Sequence, residues 1–541
     1  MGGVASLIWH KSKGRQGRGA GGQSTLGSSG EQRRRRTKAM FSLLSGLAFL
    51  AISFLLLKLG TFCWERSRLP PGPLPFPVLG NLWQLGFQLH PETLLQLAQT
   101  HGSVFTVWVG PTPVVVLSGF QAVKEALVSN SEQFSGRPLT PLFRDLFGEQ
   151  GVICSNGHTW RQQRRFCLAT LRGLGLGKLA LEVQLQAEAA ELAEAFHREQ
   201  GRPFDPQVPI VRCTARVIGT LVFGPHLLSE EPIFQELIQA IDFGLAFVST
   251  VWRRLYDLFP WALRHLPGPH QEIFRHHKAV RGFIHQEIIR HKLMGPEAPK
   301  DFISCYLARI AEAEDDPVST FSEENLIQVV IDLFLGGTDT TATTLRWALI
   351  YMVQHEAVQE RVQQELDMVL GPAQAVRYED RERLPYTRAV LHEVQRLSSV
   401  VAVGAVRHCV ASTQVRGYPV PKGTIVLPNL ASVLYDPECW ETPREFNPSH
   451  FLDKDGNFVA NEAFLPFSAG HRMCPGDQLA RMELFLMFAT LLRTFQFQLP
   501  KGSPGLRLEY VFGGTLQPQP QEICAVPRLS SPSSGPREKS L

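Results

Sequence analysis

The spacing of apolar residues changes several times along the 541-residue chain, and each change predicts a different kind of segment. Residues 1–39 are rich in Gly, Ser, Lys and Arg and contain a single acid, Glu31. A segment of this composition cannot bury enough apolar surface to fold. We therefore predict a disordered, basic N-terminal extension over residues 1–39.

A long apolar run follows this extension. No charge interrupts the chain from Met40 to Leu57, and the apolar character resumes after Lys58 and continues to about Cys63. A membrane-spanning helix needs roughly 20 apolar residues, whereas the apolar part of a cleavable signal peptide has roughly 7–15. No A-x-A-like cleavage site follows the run, so we predict a transmembrane anchor over residues 40–63.

The charges that flank the anchor leave its orientation open. Basic residues within 33–38 precede the anchor, and Lys58, Arg66 and Arg68 follow it. With the basic cluster present, the positive-inside rule places the following domain in the lumen. If translation begins at Met40, the same rule holds that domain in the cytosol. We hypothesise that the basic extension is absent from the main product, although an Arg-rich leader is also typical of a mitochondrial presequence.

The residues after the anchor predict a linker and then a β-hairpin. Prolines are frequent over residues 64–79, and they stiffen a chain while removing N–H donors, which is typical of a semi-rigid linker. Two β-rich runs, Val104–Val109 and Val114–Leu117, are separated by Gly110-Pro111-Thr112-Pro113. Such runs around a Gly/Pro turn predict a hairpin.

Most of the remaining chain has the apolar periodicity of helices. No repeat or break in composition divides residues 80–525, so we predict one large domain that is mainly α with a small β-sheet region. The tail over 526–541 is rich in Ser and Pro and predicts disorder. The clearest helical segments are Gln184–Arg198, Glu324–Met352, Val358–Leu370 and Leu479–Leu492.

Charge and cysteine usage exclude several classes of protein. The formal net charge is only +4, and no basic stripe with interleaved aromatic residues appears, so we predict no nucleic-acid partner. The nine cysteines are scattered without a CxxC pair, which argues against a disulfide framework and a structural zinc site. This usage favours a reducing compartment for the large domain.

One cysteine lies in a distinctive setting, the segment Phe467-Ser-Ala-Gly-His-Arg-Met-Cys-Pro-Gly476. Gly470 and Gly476 permit tight turns and a close approach of backbone to a flat ligand. Arg472 and the N-terminus of the helix predicted to follow Cys474 would favour a thiolate. The alternative is a buried structural cysteine in a Gly-rich turn, but the coincidence of four special positions favours a functional site.

A second unusual segment, Leu335–Thr341, interrupts a long apolar helix with two glycines and several threonines. We predict that a capping box over Thr320–Glu323 opens this helix. Adjacent glycines cost about 1 kcal/mol each relative to alanine, and threonines that bond back to backbone carbonyls bend helices. A groove for a small ligand explains these features, and a helix-packing notch is the alternative.

The cysteine segment resembles the F-x-x-G-x-R-x-C-x-G pattern of cytochromes P-450, and the resemblance covers about residues 65 to 525. Glu393 and Arg396 form an ExxR motif about 80 residues earlier, which the family uses as a buried lock, although an exposed surface pair is the alternative. In the family's meander segment, this chain has His450 where an arginine is usual. The chain is most similar to the microsomal family-two enzymes, which include drug, steroid and fatty-acid hydroxylases.

The resemblance implies a haem-thiolate monooxygenase that binds haem b (iron protoporphyrin IX). Cys474 would be the axial ligand of the iron, and Asp339 and Thr340 would deliver protons for O2 activation. The other residues that it implies at the cofactor are Arg472, Trp160, Arg164, Arg137, Arg407 and Phe467. Ordinary surface charge is the alternative role of each arginine.

The resemblance also implies partners and a location. We expect electrons from NADPH through cytochrome P-450 reductase, with cytochrome b5 as a further candidate, and a lipophilic small-molecule substrate. The expected location is the endoplasmic reticulum membrane with a cytosolic catalytic domain, and a mitochondrial location is the alternative. A haem-thiolate isomerase or dehydratase, and a non-catalytic haem sensor, are competing functions. A basic face for reductase docking would include Arg161, Arg165, Arg172 and Arg481.

The substrate side gives weaker expectations. One aromatic group is expected to cover the site and contact the membrane, with structural core as its commoner role: Phe243, Phe247, Val251, Trp252 and Phe259. An apolar group is expected to line the pocket: Phe334, Leu335, Val400, Val401 and Val403. A histidine-rich stretch is expected to be a solvated interfacial face rather than a metal site: His270, His276, His277, His285 and His291.

Overall fold

The computed structural model describes two units of the chain, an N-terminal unit that ends at Arg68 and a large domain that begins at Leu69. The described residues are 27–76, 79–86, 90–175, 179–224, 231–294, 300–371 and 374–528. The large domain is mainly helical with small sheets, which confirms the predicted fold class.

The N-terminal unit contains one helix, α1, Gly27–Ser67. Its segment Met40–Ser67 contains an 18-residue stretch with a mean hydropathy of 2.3 and is long and apolar enough to cross a membrane. The helix starts before the predicted anchor, so the expectation of disorder over the whole of 1–39 is wrong for residues 27–39. Arg, Glu, Gln and Lys are good helix formers and continue the helix towards its N-terminus. Residues 1–26 lie outside the described part of the chain.

The helices of the large domain agree with the apolar periodicity, with ends that differ by a few residues from the predicted ones. The four clearest predicted segments correspond to α7, α14, α15 and α18. In chain order the helices are α2 Leu82–Leu85, α3 Pro91–His101, α4 Phe120–Lys124, α5 Pro141–Phe147, α6 Gly157–Gly173, α7 Leu179–Arg198, α8 Gln207–Phe223, α9 Glu231–Val248, α10 Val251–Leu258, α11 Pro260–Leu263, α12 His270–Leu293, α13 Phe302–Glu312, α14 Glu323–Gln354, α15 Glu356–Val369, α16 Pro385–Ser398, α17 Leu430–Leu434 and α18 Asp477–Thr494.

The main sheet confirms the predicted hairpin, β1 Val104–Val109 and β2 Thr112–Leu117, with a shorter turn than predicted. The strand order is β1-β2-β6-β3, and β2 pairs with β6 in parallel. Pro113 is tolerated inside β2 because pairing with β6 begins one residue later, at Val114. The other strands are β3 Arg407–His408, β4 Thr413–Val415, β5 Tyr418–Val420, β6 Ile425–Pro428, β7 Phe495–Gln498, β8 Tyr510–Phe512, β9 Leu516–Pro518 and β10 Cys524–Pro527.

Helix α14 runs through the main hydrophobic core, where it packs against α8, α16 and α18. Its N-cap is Ser322, whose hydroxyl accepts a hydrogen bond from the Asn325 N–H at 3.2 Å. The predicted capping box over Thr320–Glu323 is therefore wrong by two residues. The Thr320 hydroxyl instead bonds to the side chains of Gln162 and Gln163.

The proline-rich segment predicted as a linker belongs to the large domain from Leu69 onward. The carbonyls of Pro70 and Pro71 accept hydrogen bonds from the Thr106 hydroxyl and N–H, both at 2.8 Å. A Cβ atom on Gly72 would lie 1.9 Å from the Thr106 carbonyl oxygen, so only glycine allows this approach. At the other end, β10 continues to Pro527, two residues into the predicted disordered tail, and residues 529–541 lie outside the described part.

Glu393 and Arg396 on α16 form a fully buried ion pair. Two parallel hydrogen bonds of 2.7 Å join the guanidinium to the carboxylate. Arg396 also donates to the carbonyls of Leu434, Pro443 and Glu445, which belong to α17 and the meander segment. The pair therefore ties α16 to these two parts of the chain, and the alternative of an exposed surface pair is excluded.

His450 completes this network as a neutral side chain. Its Nε2 accepts the Thr442 N–H at 3.2 Å, so the ring proton is on Nδ1, which donates to the Glu393 carboxylate at 3.2 Å. Glu393 also accepts the Asn447 N–H at 2.8 Å. The usual arginine would bring a second cation, whereas His450 supplies a hydrogen bond without charge and leaves Arg396 as the single counter-ion of Glu393 in this network.

Substitution Glu393→Gln removes the counter-ion of a buried guanidinium and should lower the free energy of unfolding by about 3–5 kcal/mol. The matched control is Glu379→Gln, because Glu379 pairs with Arg377 at 3.2 Å on the surface, where a pair contributes about 0–1 kcal/mol. Denaturant unfolding monitored by circular dichroism measures both. Equal losses in the two variants would contradict the role assigned to the buried pair.

Candidate functional site

A cavity lies between α14 and α18 and is closed by the segments around Arg137, Arg407 and Cys474. Six of the nine predicted site residues line it, and three, Asp339, Trp160 and Arg164, do not. The six that line the cavity are Cys474, Phe467, Arg472, Arg407, Arg137 and Thr340.

The cysteine loop is closed by a hydrogen bond from the Cys474 N–H to the Phe467 carbonyl at 3.1 Å. Gly470 has φ of +73°, and a Cβ atom there would lie 1.7 Å from the Leu127 carbonyl oxygen, so this position requires glycine. Gly476 has φ of −100° and open space around it. The close approach at Gly470 is to the Leu127 backbone, whereas Gly476 lines the cavity, and the approach of both glycines to a flat ligand stays a prediction.

The sulfur of Cys474 lies at the N-terminus of α18, as predicted from the sequence. Burial nevertheless raises the pKa of the Cys474 thiol, while the Gly476 N–H and the charge of Arg164 act in the opposite direction. The expectation that the surroundings alone favour the thiolate is thus only partly met. A bound metal ion removes the thiol proton and supplies the missing positive charge.

Four buried or half-buried arginines interact at one side of the cavity. Burial and the charges of Arg137, Arg472 and Arg164 hold the pKa of Arg407 well below its usual value. None of the four forms an ion pair with a carboxylate of the described residues. Arg407 is 1% exposed, and its Nε and Nη1 atoms have no hydrogen-bond partner in the described part of the chain.

The four arginines differ in how many of their N–H groups already donate to acceptors within the protein. Arg472 donates to the carbonyls of Ser135, Val152 and Ser155 at 2.6–3.1 Å. Arg137 donates through Nη1 to the carbonyls of residues 405 and 406, and its buried Nε is unpartnered.

Arg164 and Trp160 lie behind the cavity wall rather than in it. Arg164 donates to the Met473 carbonyl at 2.7 Å and so holds the residue next to Cys474. The Trp160 ring stacks on the Arg472 guanidinium at 4.0 Å, and its buried indole N–H has no partner among the described residues.

These unpartnered donors test whether the site fits a haem. Buried guanidinium nitrogens without partners are costly and call for an anion that accepts several hydrogen bonds. The carboxylates of a haem have this chemistry, and the Cys474 sulfur can bind its iron. The residues present therefore fit the group, with Arg407 and Arg137 as the cations that have donors to spare.

Helix α14 is continuous through the Gly/Thr segment. The Thr340 hydroxyl donates to the Gly336 carbonyl and the Thr344 hydroxyl to the Thr340 carbonyl, both at 2.8 Å. A Cβ atom on Gly336 would meet nothing within 4 Å, whereas one on Gly337 would lie 3.1 Å from Ile218. Gly336 thus leaves open space beside the cavity, as a groove for a small ligand requires. Gly337 instead makes room for Ile218, as a helix-packing notch does.

Asp339 faces away from the cavity. Its carboxylate accepts hydrogen bonds from the Thr515 hydroxyl at 2.7 Å and the Gln517 amide at 2.8 Å. Burial raises the pKa of Asp339, while these two donors and the charge of Arg346 lower it. Asp339 and Thr340 point in different directions, as successive residues of a helix do, and their joint role in proton delivery stays a prediction.

Sequence analysis missed two acids that line the cavity. Asp332 on α14 accepts the N–H groups of Val152 and Ile153 at 2.6 and 2.9 Å, and burial raises its pKa to about 6. Glu483 on α18 is 2% exposed. A single acid inside an otherwise apolar helical stretch was the available signal for both residues.

The substrate-side expectations are only partly met. Val400 and Val401 line the cavity, whereas Phe334 packs against Phe223 and Phe234 in the main core. Phe243, Phe247 and Trp252 belong to a separate apolar cluster with Leu142, Leu146, Tyr256 and Ile273, which favours a structural role for these three. Val251 and Phe259 are exposed.

The histidine-rich stretch on α12 is only partly the solvated face that we expected, since His285 is exposed and His276 is half-buried. His270 and His291 are buried, and His291 pairs with Asp301 at 3.2 Å. Burial lowers the pKa of His277 to about 4. No group of three or more His, Cys, Asp or Glu positioned for a metal occurs within the described ranges.

Three members of the predicted basic face, Arg161, Arg165 and Arg172, are exposed on α6. The fourth, Arg481, is half-buried, since its Nη1 lies 3.3 Å from His392 Nε2 and its guanidinium lies over the Phe467 ring. The exposed arginines share α6 with Arg164, which contacts the cysteine loop.

Comparison with known proteins agrees with this geometry. The sequence profile of the cytochrome P-450 family matches residues 70–525. Human cytochrome P-450 2J2 is 41% identical over 462 residues, 85% of this chain and 91% of its own length. Rabbit cytochrome P-450 2B4 is 42% identical over 461 residues, 85% of this chain and 94% of its own length.

Chimpanzee cytochrome P-450 2D6 is 43% identical over 468 residues, again 85% of this chain and 94% of its own length. Members of this family are oxidoreductases that bind haem through a cysteine thiolate and insert oxygen. On the match over most of its length, together with the cysteine loop and the arginine-lined cavity, the chain belongs to the cytochrome P-450 family as a monooxygenase similar to the family-two enzymes.

Proposed function

We propose that the protein oxidises a lipophilic small molecule with O2, using electrons that NADPH supplies through cytochrome P-450 reductase. The observation that carries this proposal is the cavity lined by Cys474, Thr340 and Arg407, whose Nε and Nη1 atoms have no partner among the described residues. The bound haem supplies the oxygen-activating chemistry, and the residues of the chain bind it, hold substrate and move protons. Xenobiotics, fatty acids and steroids are the candidate substrates.

The cofactor roles follow from the contacts. Cys474 would hold the haem iron, and the Gly476 N–H hydrogen-bonds to its sulfur. Arg407 and Arg137 would bind the haem carboxylates with donors that the protein leaves unused. Three further residues act on the haem site indirectly, because they hold the loop that carries the cysteine: Arg472, Trp160 and Arg164. Phe467 contributes cavity wall at the start of that loop.

The apolar side of the cavity supports a lipophilic substrate. Its apolar lining includes Ile218, Leu333, Val400 and Val401. Such a lining favours ligands whose own apolar surface is removed from water on binding. Among the ionisable groups there, Asp332 is already committed to two backbone N–H groups.

Electron supply requires a partner that docks close to the cysteine loop. Arg161, Arg165 and Arg172 are exposed on α6, whose Arg164 contacts Met473. Complementary charge at such a face raises the encounter rate with an acidic partner and selects against basic ones. This placement supports a reductase, and also cytochrome b5, as the partner.

We further propose that α1 anchors the protein in the endoplasmic reticulum membrane with the large domain in the cytosol. The apolar segment Met40–Ser67 supports the anchor. Lys58, Arg66 and Arg68 support the orientation for a product that begins at Met40. Processing near residue 60 in the tissue protein would indicate the mitochondrial alternative.

The thiolate assignment is tested by substitution of the cysteine. The protein, reduced under carbon monoxide, should show the thiolate-type Soret band, and Cys474→Ala should lose it because no other sulfur of the described cavity wall can replace the ligand. Cys439→Ala is the control, since Cys439 is half-buried outside the cavity. Retention of the band in Cys474→Ala would overturn the assignment.

The proton-delivery assignment is tested by Thr340→Val and Asp339→Asn. Both should reduce the product formed per NADPH more strongly than they reduce NADPH consumption, because electrons still arrive while proton supply fails. General acid–base contributions are typically about 10²–10⁴-fold. Thr220→Val is the control, since Thr220 is half-buried on α8 outside the cavity wall.

A normal thiolate band without NADPH-dependent product in the unsubstituted protein, with reductase and candidate fatty acids or steroids present, would instead favour an isomerase, a dehydratase or a haem sensor. An unchanged product yield in both proton-delivery variants would contradict the assigned relay while leaving the haem site intact.

A further inference from the structure

Glu483 lies on α18, nine residues after Cys474, and its side chain lines the same cavity. Its neighbours in the helix, Met482 and Leu484, are buried and apolar. The Oε1 atom is buried and has no hydrogen-bond partner among the described residues. A buried carboxyl group directed at a cavity without a donor or cation beside it requires a specific explanation.

Asp332 shows by contrast what a carboxylate in this cavity needs. Its two oxygens accept the Val152 N–H, the Ile153 N–H and the Gln328 amide at 2.6–3.0 Å. Those donors stabilise the ionised form and oppose the effect of burial. Glu483 has no comparable donors, so ionisation there would leave a buried charge uncompensated.

Burial therefore raises the pKa of Glu483 well above its usual value, and the nearby Glu188 raises it further. Neutralisation is the cheaper outcome for a buried acid that has no donors beside it. A neutral carboxylic acid can donate a hydrogen bond through its O–H group, which a carboxylate cannot do.

Glu188 on α7 acts on this acid through its charge and is itself paired with a partly exposed arginine. The Glu188 carboxylate pairs with Arg216 Nε on α8 at 3.0 Å, and the Arg216 side chain is 30% exposed. Burial raises the pKa of Glu188, whereas Arg216 lowers it and Glu191 raises it. The Cys213 thiol donates to the Glu188 carbonyl at 3.5 Å and lies 3.9 Å from Met487 on α18, so these helices meet closely here.

We propose that Glu483 is a protonated acid that donates a hydrogen bond to an internal water of the cavity and exchanges its proton with solvent through Glu188. Buried waters typically bond to polar groups that the protein leaves unsatisfied. In one exchange, the Glu188 carboxylate takes a proton from solvent, the Glu483 O–H gives its proton to the water, and the Glu483 carboxylate that remains takes the proton from Glu188, which returns to its ion-paired form. Charge is balanced and no electrons move.

This route is separate from Asp339 and Thr340 on α14. It rests on the proposed function in one respect, because a supply of protons to the cavity matters only if the reaction consumes them. The protonated state of Glu483 and its exchange with solvent do not depend on turnover, so they can be tested without substrate or reductase.

Infrared spectroscopy of the full-length, haem-loaded protein tests the proposal in mildly alkaline buffer, where Asp332 is ionised. A carboxylic C=O band should be present, should shift when the glutamates are labelled with ¹³C, and should be lost in Glu483→Gln. Glu360→Gln is the control and should keep the band, since Glu360 is exposed on α15. In Glu188→Gln the band should remain, but its shift on transfer to D2O should slow severalfold.

A spectrum without a ¹³C-glutamate-sensitive band would overturn the protonated state even if Glu483→Gln failed to fold. A band that survives in Glu483→Gln would assign the proton elsewhere, and unchanged D2O kinetics in Glu188→Gln would remove Glu188 from the route. The carbon monoxide spectrum of the same samples reports the haem thiolate separately, so failure of this proposal is distinguishable from failure of the proposed function.

Discussion

The structure of the cavity depends on one electrostatic constraint, the concentration of buried guanidinium groups that have no carboxylate to balance them. Arg407 is almost completely buried with two unpartnered nitrogens, and Arg137, Arg164 and Arg472 further disfavour its charge. The effective penalty for burying an unpaired ion is several kcal/mol. The apoprotein must bear this cost, and an anionic ligand that accepts these hydrogen bonds removes it.

The domain handles another buried cation, Arg396, in the opposite way. Arg396 has an internal counter-ion in Glu393 and three carbonyl acceptors, so its charge is satisfied before any ligand binds. The Glu393–Arg396 pair thus stabilises the fold by itself, whereas the arginines beside Cys474 lack a counter-ion among the described residues, and Arg407 and Arg137 also have N–H groups without acceptors there. Local destabilisation of this kind is typical of functional sites, where binding supplies the compensation that the chain lacks.

The sequence predicted what depends on local pattern and type of residue. Apolar periodicity located α14 and α18, and the turn between β1 and β2 was signalled by Gly110 and Pro111. The glycine requirement at position 470 and the placement of Cys474 at a helix N-terminus also followed from the motif. The resemblance then supplied roles for residues that are far apart in the chain, such as Arg137 and Arg407.

What the sequence could not show depends on the direction of side chains and on distant partners. The motif identifies Asp339 as a candidate site residue. It does not show that the Asp339 carboxylate accepts hydrogen bonds from Thr515 and Gln517, more than 170 positions later. Glu483 is one glutamate among many until its burial against the cavity is known. The capping box at Thr320 failed for a related reason, because that hydroxyl is engaged by glutamines of α6.

The most direct test of this account compares the binding of haem and of haem dimethyl ester to the apoprotein, followed by absorbance titration and thermal unfolding. Both ligands offer the iron to Cys474, but only haem carries the carboxylates that the arginines require. The account predicts clearly weaker binding of the ester and a much smaller stabilisation against unfolding. Equal affinity and equal stabilisation by the two ligands would contradict the claim that the buried arginines define the haem site.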